Sequence, residues 1–258
     1  MLNIRPEDAI HKSHLNRLLI EIIDQPILSQ RLALKGGTCA AMLGYLDRFS
    51  VDLDFDVLGN ADEHALRHEF HRVFDYLGLR VTGELDKALF FQLRYPNDPG
   101  KRSTMKMSAS SVMVAANQYR VQYLAEIDRL MTCQTIETMF ANKLVAVIDR
   151  YKLYGSIAGR DIYDIHHFFI HGYSYHAPII QERTGLAPMD YFGELSDFVT
   201  EHITQTIINE DLNTLLPNDR FQQICKILIP ETLSLLAREQ NRLAAEGFGL
   251  RVASINDL

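Results

Sequence analysis

Apolar and polar residues alternate most regularly in the segment SVDLDFDV at positions 50–57. Its odd-numbered positions are apolar, and its even-numbered positions from 52 onward are aspartates. A period of two predicts a β-strand with one buried face. Shorter strand-like patterns follow at 79–82, 89–95, 104–114 and 119–127, and the polar segment PNDPGKR at 96–102 predicts a turn.

Much of the remaining chain has apolar residues at helical spacing. The pattern predicts a helix over 6–30 that Pro26 kinks or interrupts. It also predicts a short apolar helix over 39–46 and an amphipathic helix over 62–77. From Thr135 onward helices dominate, and we expect them at 135–154, from Arg160, and at 188–209, 218–237 and 238–246.

This order of elements predicts an α+β fold. A small mixed sheet with helices over residues 1–130 would be followed by a helical domain over residues 131–258. The first part contains too few β-α-β crossovers for a doubly wound parallel sheet. The length of 258 residues is compatible with two modest domains.

Composition narrows the class of protein only slightly. The chain has no apolar run long enough to span a bilayer and begins without the apolar core of a signal peptide. Its three cysteines are widely spaced, so we expect neither a disulfide framework nor a zinc site, and we expect a cytoplasmic location. The net charge of −7 argues against a general nucleic-acid coating protein but leaves room for a local basic groove.

Two features near the acidic strand suggest a site that binds a metal ion and phosphate. Asp52 and Asp54 are two positions apart, so on a strand their carboxylates share one face and could hold Mg²⁺. The segment Gly36-Gly37-Thr38 lies just before the helix at 39–46, where glycines let backbone amides approach a phosphate closely. Taken singly, the first is equally compatible with a solvated strand face and the second with a plain turn. Together they favour a nucleoside triphosphate site with bound metal.

The segment LKGGTCAAMLGYLDRFSVDLDF at 34–55 resembles the start of the AbiEii/AbiGii-type toxin family, nucleotidyltransferases of the polymerase-beta-like superfamily. The resemblance continues at ANKLVA, 141–146, and at RDIYDI, 160–165, and it covers roughly residues 30 to 170. The ordered set of three motifs is more specific than any one of them.

The resemblance implies roles for particular residues. Asp52 and Asp54 would bind Mg²⁺, and Lys143 and Asp161 would join them as catalytic residues. Asp161 would orient either Lys143 or the acceptor, and Asp164 is a weaker candidate. The nucleotide would be held by Gly36, Gly37, Thr38, Ser50 and Lys143. Without the resemblance, Lys143 and Arg150 would be interpreted as charges on a solvent-exposed helix face. Asp161 and Asp164 would be interpreted as acidic residues that stabilise the N-terminus of a helix.

One position departs from the family pattern. Two-metal nucleotidyl transfer usually uses a third carboxylate from a neighbouring strand. The matching segment is KMSAS at 106–110, with Ser108 where the acid is expected. Glu126 or Asp128 could replace it, the alignment could be shifted, or the protein could use one metal and a different base.

We therefore expect a Mg²⁺-dependent enzyme that transfers a nucleoside monophosphate from an NTP to an acceptor hydroxyl, with RNA or tRNA as the acceptor suggested by the resemblance. The resemblance further implies a bacterial toxin with a cognate antitoxin and a role in phage defence. The alternative is a catalytically impaired nucleotide-binding or regulatory protein on the same scaffold, and Ser108 is the feature that favours it.

Overall fold

A computed structural model describes residues 5–98, 100–112 and 114–256. Pro99 in the predicted turn and Met113 in the predicted strand 104–114 lie outside the described residues. The chain divides into two compact units. The first comprises Met1–Met113 and Asn117–Met139, and the second comprises Val114–Ala116 and Phe140–Leu258.

The first unit contains every strand of the described residues. After a 3-10 turn (Pro6–Asp8), its helices are α1 (Ala9–Asp24), α2 (Pro26–Ser29), α3 (Gly36–Met42) and α4 (Glu63–Tyr76). Its strands are β1 (Leu32–Lys35), β2 (Leu53–Val57), β3 (Arg80–Glu84), β4 (Leu89–Arg94), β5 (Thr104–Ser110), β6 (Tyr119–Leu124) and β7 (Arg129–Gln134).

These seven described strands form one mixed sheet in the order β3-β4-β5-β2-β1-β7-β6. The pairs β2–β5 and β1–β7 are parallel, and the other neighbours are antiparallel. The predicted α+β class with a mixed sheet is therefore confirmed. The acidic strand β2 lies at the centre of the sheet, and its apolar residues Leu53 and Phe55 are fully buried.

Two strands of this sheet were not predicted. The first three residues of the β1 segment LALK are buried and show no alternation, because a central strand can be covered on both faces. Strand β7 follows β6 after a tight turn in which Asp128 adopts a positive φ of 53°. The segment predicted as a strand at 119–127 is therefore the first strand of a β-hairpin. That strand ends at Leu124, three residues before the predicted end.

Proline ends the first helix rather than kinking it. Gln25 is extended, and Pro26 starts the separate four-residue helix α2. A proline is well suited to the first turn of a helix, where its missing N–H group leaves no hydrogen bond unmade. The predicted helix over 6–30 is consequently two helices and a 3-10 turn.

The second unit is built of helices. Helix α5 (Ile136–Tyr154) begins in the first unit and continues into the second, and the others are α6 (Gly159–Ile170), α7 (Ala177–Thr184), α8 (Pro188–His202), α9 (Gln205–Leu212), α10 (Asn218–Ile224) and α11 (Leu228–Asn256). Helix α11 packs against α6 and α8, and α6 also contacts α9. None of the described helices is both long enough and apolar enough to cross a membrane.

The helix boundaries differ from the prediction at several places. The helix predicted over 39–46 is α3, which starts at Gly36 and ends at Met42, so Gly36-Gly37-Thr38 form its first turn and do not precede it. The predicted helix 188–209 is broken at Ile203, which is extended, and Thr204 caps the next helix by accepting a hydrogen bond from the Ile207 N–H group. The segments 218–237 and 238–246 are redivided into α10 and the long helix α11. Helix α7 was not predicted, although Pro178 in its first turn and the left-handed Gly185 at its end are ordinary helix signals.

Candidate functional site

Among the aspartates of the acidic strand, Asp56 is the one whose side chain is buried in the core. Its side chain is buried and accepts hydrogen bonds from Lys35 Nζ at 2.6 Å, Tyr119 Oη at 2.9 Å and Gln134 Nε2 at 2.6 Å. These partners come from β1, β6 and β7, so the carboxylate links β2 to three other strands. The cation and the two neutral donors satisfy its charge inside the protein.

Asp52 and Asp54 are instead held by strand β5. The β2–β5 pairing is parallel and sets Asp54 opposite Ser108. Ser108 Oγ donates a hydrogen bond to Asp54 Oδ1 at 2.7 Å, and the Lys106 N–H group donates one to Asp52 Oδ1 at 3.1 Å. Asp52 directly precedes β2, which starts at Leu53 rather than at the predicted Ser50. Both carboxylates are thus oriented by the same neighbouring strand.

The glycine pair fits closely against the acidic strand. Gly36 has a φ of +75°, and a Cβ atom at this position would lie 3.2 Å from Asp54 Oδ2. A Cβ atom on Gly37 would lie 2.9 Å from Arg48 Nη2 and 3.0 Å from Ser50 Oγ. The two glycines therefore bring the start of α3 against Asp54, Arg48 and Ser50 with no room for a side chain.

Thr38 joins the glycine segment to the acidic strand. It is buried, and its hydroxyl group donates a hydrogen bond of 2.5 Å to the backbone oxygen of Asp52. Because this bond uses the hydroxyl proton, only the backbone N–H group of Thr38 could donate to a phosphate oxygen. In this geometry the side chain fixes the spacing between α3 and Asp52.

Asp52 and Asp54 are compatible with Mg²⁺ as carboxylate ligands. Carboxylate oxygens are hard ligands, and Mg²⁺ is usually held by one or two carboxylates together with water and substrate phosphates. Within the described part of the chain, no group of three or more His, Cys, Asp and Glu side chains is arranged to hold a metal. Asp52 and Asp54 would be the carboxylate ligands of such a cation.

The predicted residues of the second unit form their own ionic cluster. Lys143 Nζ lies 2.9 Å from Asp161 Oδ1 and 3.0 Å from Asp164 Oδ2. Arg150 Nη2 lies 3.4 Å from Asp161 Oδ2. Asp164, the weaker candidate from sequence, is thus as close to Lys143 as Asp161 is. The two cations and two carboxylates balance each other.

Asp161 is ionised despite being buried. Burial alone would raise the pKa of Asp161, but Lys143 and Arg150 together outweigh that effect and hold the pKa below its ordinary value. A buried carboxylate that stays charged is a fixed partner for Lys143, and it orients the ammonium group within the cluster.

The two proposed substitutes for a third carboxylate have other partners. Glu126 accepts hydrogen bonds from Asn16 Nδ2 at 2.7 Å and Lys12 Nζ at 2.8 Å, beside a small pocket of about 30 Å³ that Thr38 and Ser50 also line. Asp128 accepts a hydrogen bond from Tyr123 in the β6–β7 turn. The residue that faces Asp54 is Ser108.

Two contributors to the site were not found from sequence. The Lys106 N–H group acts through the backbone and carries no side-chain signal. His11 is buried in α1, with its Nε2 atom 2.8 Å from the backbone oxygen of Val51 and its Nδ1 atom 2.7 Å from Tyr95 Oη. A lone histidine on the apolar face of a helix gives no indication that it supports the residue before Asp52.

Solved structures from two bacteria share the fold of this chain. The chain is similar to JHP933 from Helicobacter pylori, with 18% identity, a TM-score of 0.59, and coverage of 98% of this chain and 100% of that one. It is also similar to MenT4, a nucleotidyltransferase toxin from Mycobacterium tuberculosis, with 18% identity, a TM-score of 0.52, and coverage of 93% and 89%. At these identities the likeness establishes the fold. No curated protein sequence matches the chain significantly.

The family follows from the sequence itself. The model of the family described as nucleotidyl transferase AbiEii toxin, type IV toxin–antitoxin system, matches residues 17–226. That range covers most of both units. The chain belongs to the AbiEii family of nucleotidyltransferase toxins, as its three ordered motifs predicted.

Proposed function

We propose that the protein transfers a nucleoside monophosphate from an NTP to an acceptor hydroxyl in a Mg²⁺-dependent reaction. The oxygen of the acceptor forms a bond to the α-phosphorus, the bond from that phosphorus to the bridging oxygen breaks, and pyrophosphate leaves. The acceptor hydroxyl gives up its proton to solvent. The observation that carries this proposal is the close approach of Gly36 to Asp54, while strand β5 holds both Asp54 and Asp52 beside it.

Each side chain has a definite part in this proposal. Asp52 and Asp54 would bind Mg²⁺, which neutralises the charge that develops on the phosphates. The backbone amides of Gly36, Gly37 and Thr38, with the Ser50 hydroxyl, would hold the triphosphate. The absence of side chains at both glycines supports this assignment, because phosphate oxygens need close access to the backbone.

For Lys143 we propose stabilisation of the charge that develops in the reaction. Asp161 and Asp164 hold its ammonium group at 2.9 Å and 3.0 Å. This contact supports the alternative in which Asp161 orients Lys143 over the one in which it binds the acceptor. Fixed orientation matters because catalysis of phosphoryl transfer depends on positioning and charge stabilisation.

Transfer is tested by incubating the purified chain with Mg²⁺, each α-labelled NTP in turn, and total RNA. We expect label to enter a subset of the RNA, and Asp52→Ala and Asp54→Ala to abolish this transfer. Asp86→Ala, which removes an exposed carboxylate from the β3–β4 turn, is the matched control and should remain active. Equal transfer by Asp54→Ala and the parent protein would refute the assignment.

The toxin role requires a cellular test. We propose that the protein acts in the cytoplasm, arrests growth by modifying an RNA such as tRNA, and is countered by a cognate antitoxin in defence against phage. Expression should stop growth, and co-expression of the neighbouring gene should restore it. If Asp52→Ala arrests growth as strongly as the parent protein, nucleotidyl transfer is not the cause of the arrest.

A second function is favoured by one observation. Ser108 stands opposite Asp54, where a third carboxylate would be expected in a two-metal enzyme. A chain without that acid could bind an NTP without turning it over and act as a regulatory protein. Tight binding of a labelled NTP, combined with no label transfer to any RNA or protein acceptor, would establish this alternative.

A further inference from the structure

Strand β5 presents two hydrogen-bond donors to Asp52 and Asp54. The donors lie two positions apart on β5, as the two aspartates do in their own segment. The Lys106 N–H group holds Asp52 Oδ1 at 3.1 Å, and the Ser108 hydroxyl group holds Asp54 Oδ1 at 2.7 Å. Each bond fixes one oxygen of its carboxylate and so opposes rotation of the side chain. A cation that binds the pair meets ligands that are already oriented, which lowers the entropic cost of binding.

The chemistry of Ser108 sets the charge of the site. A carboxylate at this position would face Asp54 across one strand spacing, and the two negative charges would repel unless a cation lay between them. The serine hydroxyl is neutral, and as a donor it stabilises the charge of Asp54 instead. In the described residues no third acidic, histidine or cysteine side chain completes a metal cluster. Two carboxylates are enough protein ligands for one Mg²⁺-like cation, which takes its remaining oxygens from water or phosphate.

We propose that Ser108 is a positioning residue that orients Asp54 for a single divalent cation in the absence of nucleotide. This inference rests on the proposed function, because it takes Asp52 and Asp54 as the metal ligands. It goes further by assigning a stoichiometry of one in the absence of nucleotide and a role to the residue that departs from the family pattern.

The test uses Mn²⁺ as the probe and the full chain without nucleotide. The free Mn²⁺ concentration, measured by electron paramagnetic resonance during titration, should show one site per chain. Ser108→Ala removes the donor to Asp54, and we expect binding to weaken at least about tenfold, the lower end of what loss of one hydrogen bond to a charged group gives. Ser108→Thr retains a hydroxyl group and should restore the affinity.

A matched control lies two positions further along the same strand. Ser110 pairs with Asp56, and its hydroxyl oxygen accepts a hydrogen bond from the Val112 N–H group. Ser110→Ala makes the same chemical change on the same strand and should leave Mn²⁺ affinity unchanged. Ser108→Asp supplies a third carboxylate and should add a second Mn²⁺ site without nucleotide, whereas the parent protein should bind one.

The possible outcomes distinguish an error in the proposed function from an error in the role assigned to Ser108. If Asp54→Ala binds Mn²⁺ as tightly as the parent protein, the metal assignment in the proposed function is wrong. If binding depends on Asp52 and Asp54 but Ser108→Ala matches Ser110→Ala, only the positioning role of Ser108 is refuted. Two Mn²⁺ ions bound by the parent protein without nucleotide would overturn the stoichiometry.

Discussion

Gly36 and Asp54 approach each other so closely that a Cβ atom on Gly36 would stand 3.2 Å from Asp54 Oδ2. The backbone of Gly36 also has a φ of +75°, which L-residues adopt at a cost. Two separate constraints, one conformational and one steric, therefore require glycine at this position. The steric constraint involves a carboxylate that we assign to metal binding.

The first prediction separates these constraints. Gly36→Ala should lower the free energy of unfolding by about 1–2 kcal/mol through backbone strain and should also weaken Mn²⁺ binding at least about tenfold by displacing Asp54. Gly44→Ala is the matched control, since Gly44 has a φ of +78° and nothing within 4 Å of the added atom. It should show the loss of stability in urea unfolding without the loss of Mn²⁺ binding. Equal Mn²⁺ affinity in both variants would contradict the prediction.

The second prediction concerns the buried aspartate of the same strand. Asp56→Asn places an NH₂ group where Lys35, Tyr119 and Gln134 all donate, so at least one donor loses its acceptor. We expect the free energy of unfolding to fall by about 3 kcal/mol, as when one partner of a buried ion pair is removed. Urea denaturation followed by circular dichroism measures the change.

The control for Asp56 is an exposed ion pair. Asp98 lies 2.8 Å from Lys101 at the surface, where solvent screens the interaction. Asp98→Asn should unfold at the same urea concentration as the parent protein. A comparable loss in both variants would mean that the network around Asp56 contributes nothing beyond a surface pair.

The third prediction is the pH dependence due to His11. Burial lowers the pKa of His11 from 6.5 to about 4. The unfolded chain therefore takes up a proton at a pH at which the native chain does not, and stability falls as the pH drops from about 6.5 towards 4. The loss in free energy of unfolding that is due to His11 approaches about 3 kcal/mol at pH 4 and is absent above pH 6.5.

This pH dependence is measured by urea unfolding at pH 4.5 and at pH 7. His11→Gln should reduce the difference in unfolding free energy between the two pH values relative to the parent protein. His64→Gln, at an exposed position of α4, is the control and should leave the difference as it is. An unchanged difference in His11→Gln would show that His11 does not carry the effect.

The fourth prediction concerns acid stability of the second unit. The pKa of Asp161 is held below its ordinary value of 3.8, so its stabilising contribution is complete above about pH 4 and is lost as the pH falls through the lower native pKa. Asp161→Asn should remove this dependence and should destabilise the protein at neutral pH by about 3 kcal/mol, since Lys143 loses a buried partner. An acid unfolding curve with the same midpoint in both proteins would be the contrary result.

The sequence was sufficient to predict the local parts of the fold. Alternation predicted β2, and helical spacing predicted α4 and α5 close to their observed bounds. It did not predict β1, since a short run buried on both faces has no periodic signal. The end of α8 at His202 also escaped prediction, because neither proline nor glycine marks it and the only signal is the cap at Thr204.

The candidate site was predictable where it depends on side chains within one motif. Gly36-Gly37 and Asp52/Asp54 lie close together in one segment of the sequence, and their residue types indicate phosphate and metal binding. The pairing of Asp54 with Ser108 joins residues 54 positions apart and depends on strand register. The bond from the Lys106 backbone has no side-chain signature. These parts required three-dimensional coordinates.

The central position of β2 has a consequence for synthesis of the protein. Its neighbour β1 precedes it, but β5 is translated about fifty residues later, and β1 acquires its own parallel partner only with β7. Contacts of such long sequence separation form late, because the intervening chain must be ordered first. We therefore expect a ribosome-bound fragment that ends before Gln134 to lack an assembled acidic site, so that no fragment of this length should bind Mn²⁺ at Asp52 and Asp54.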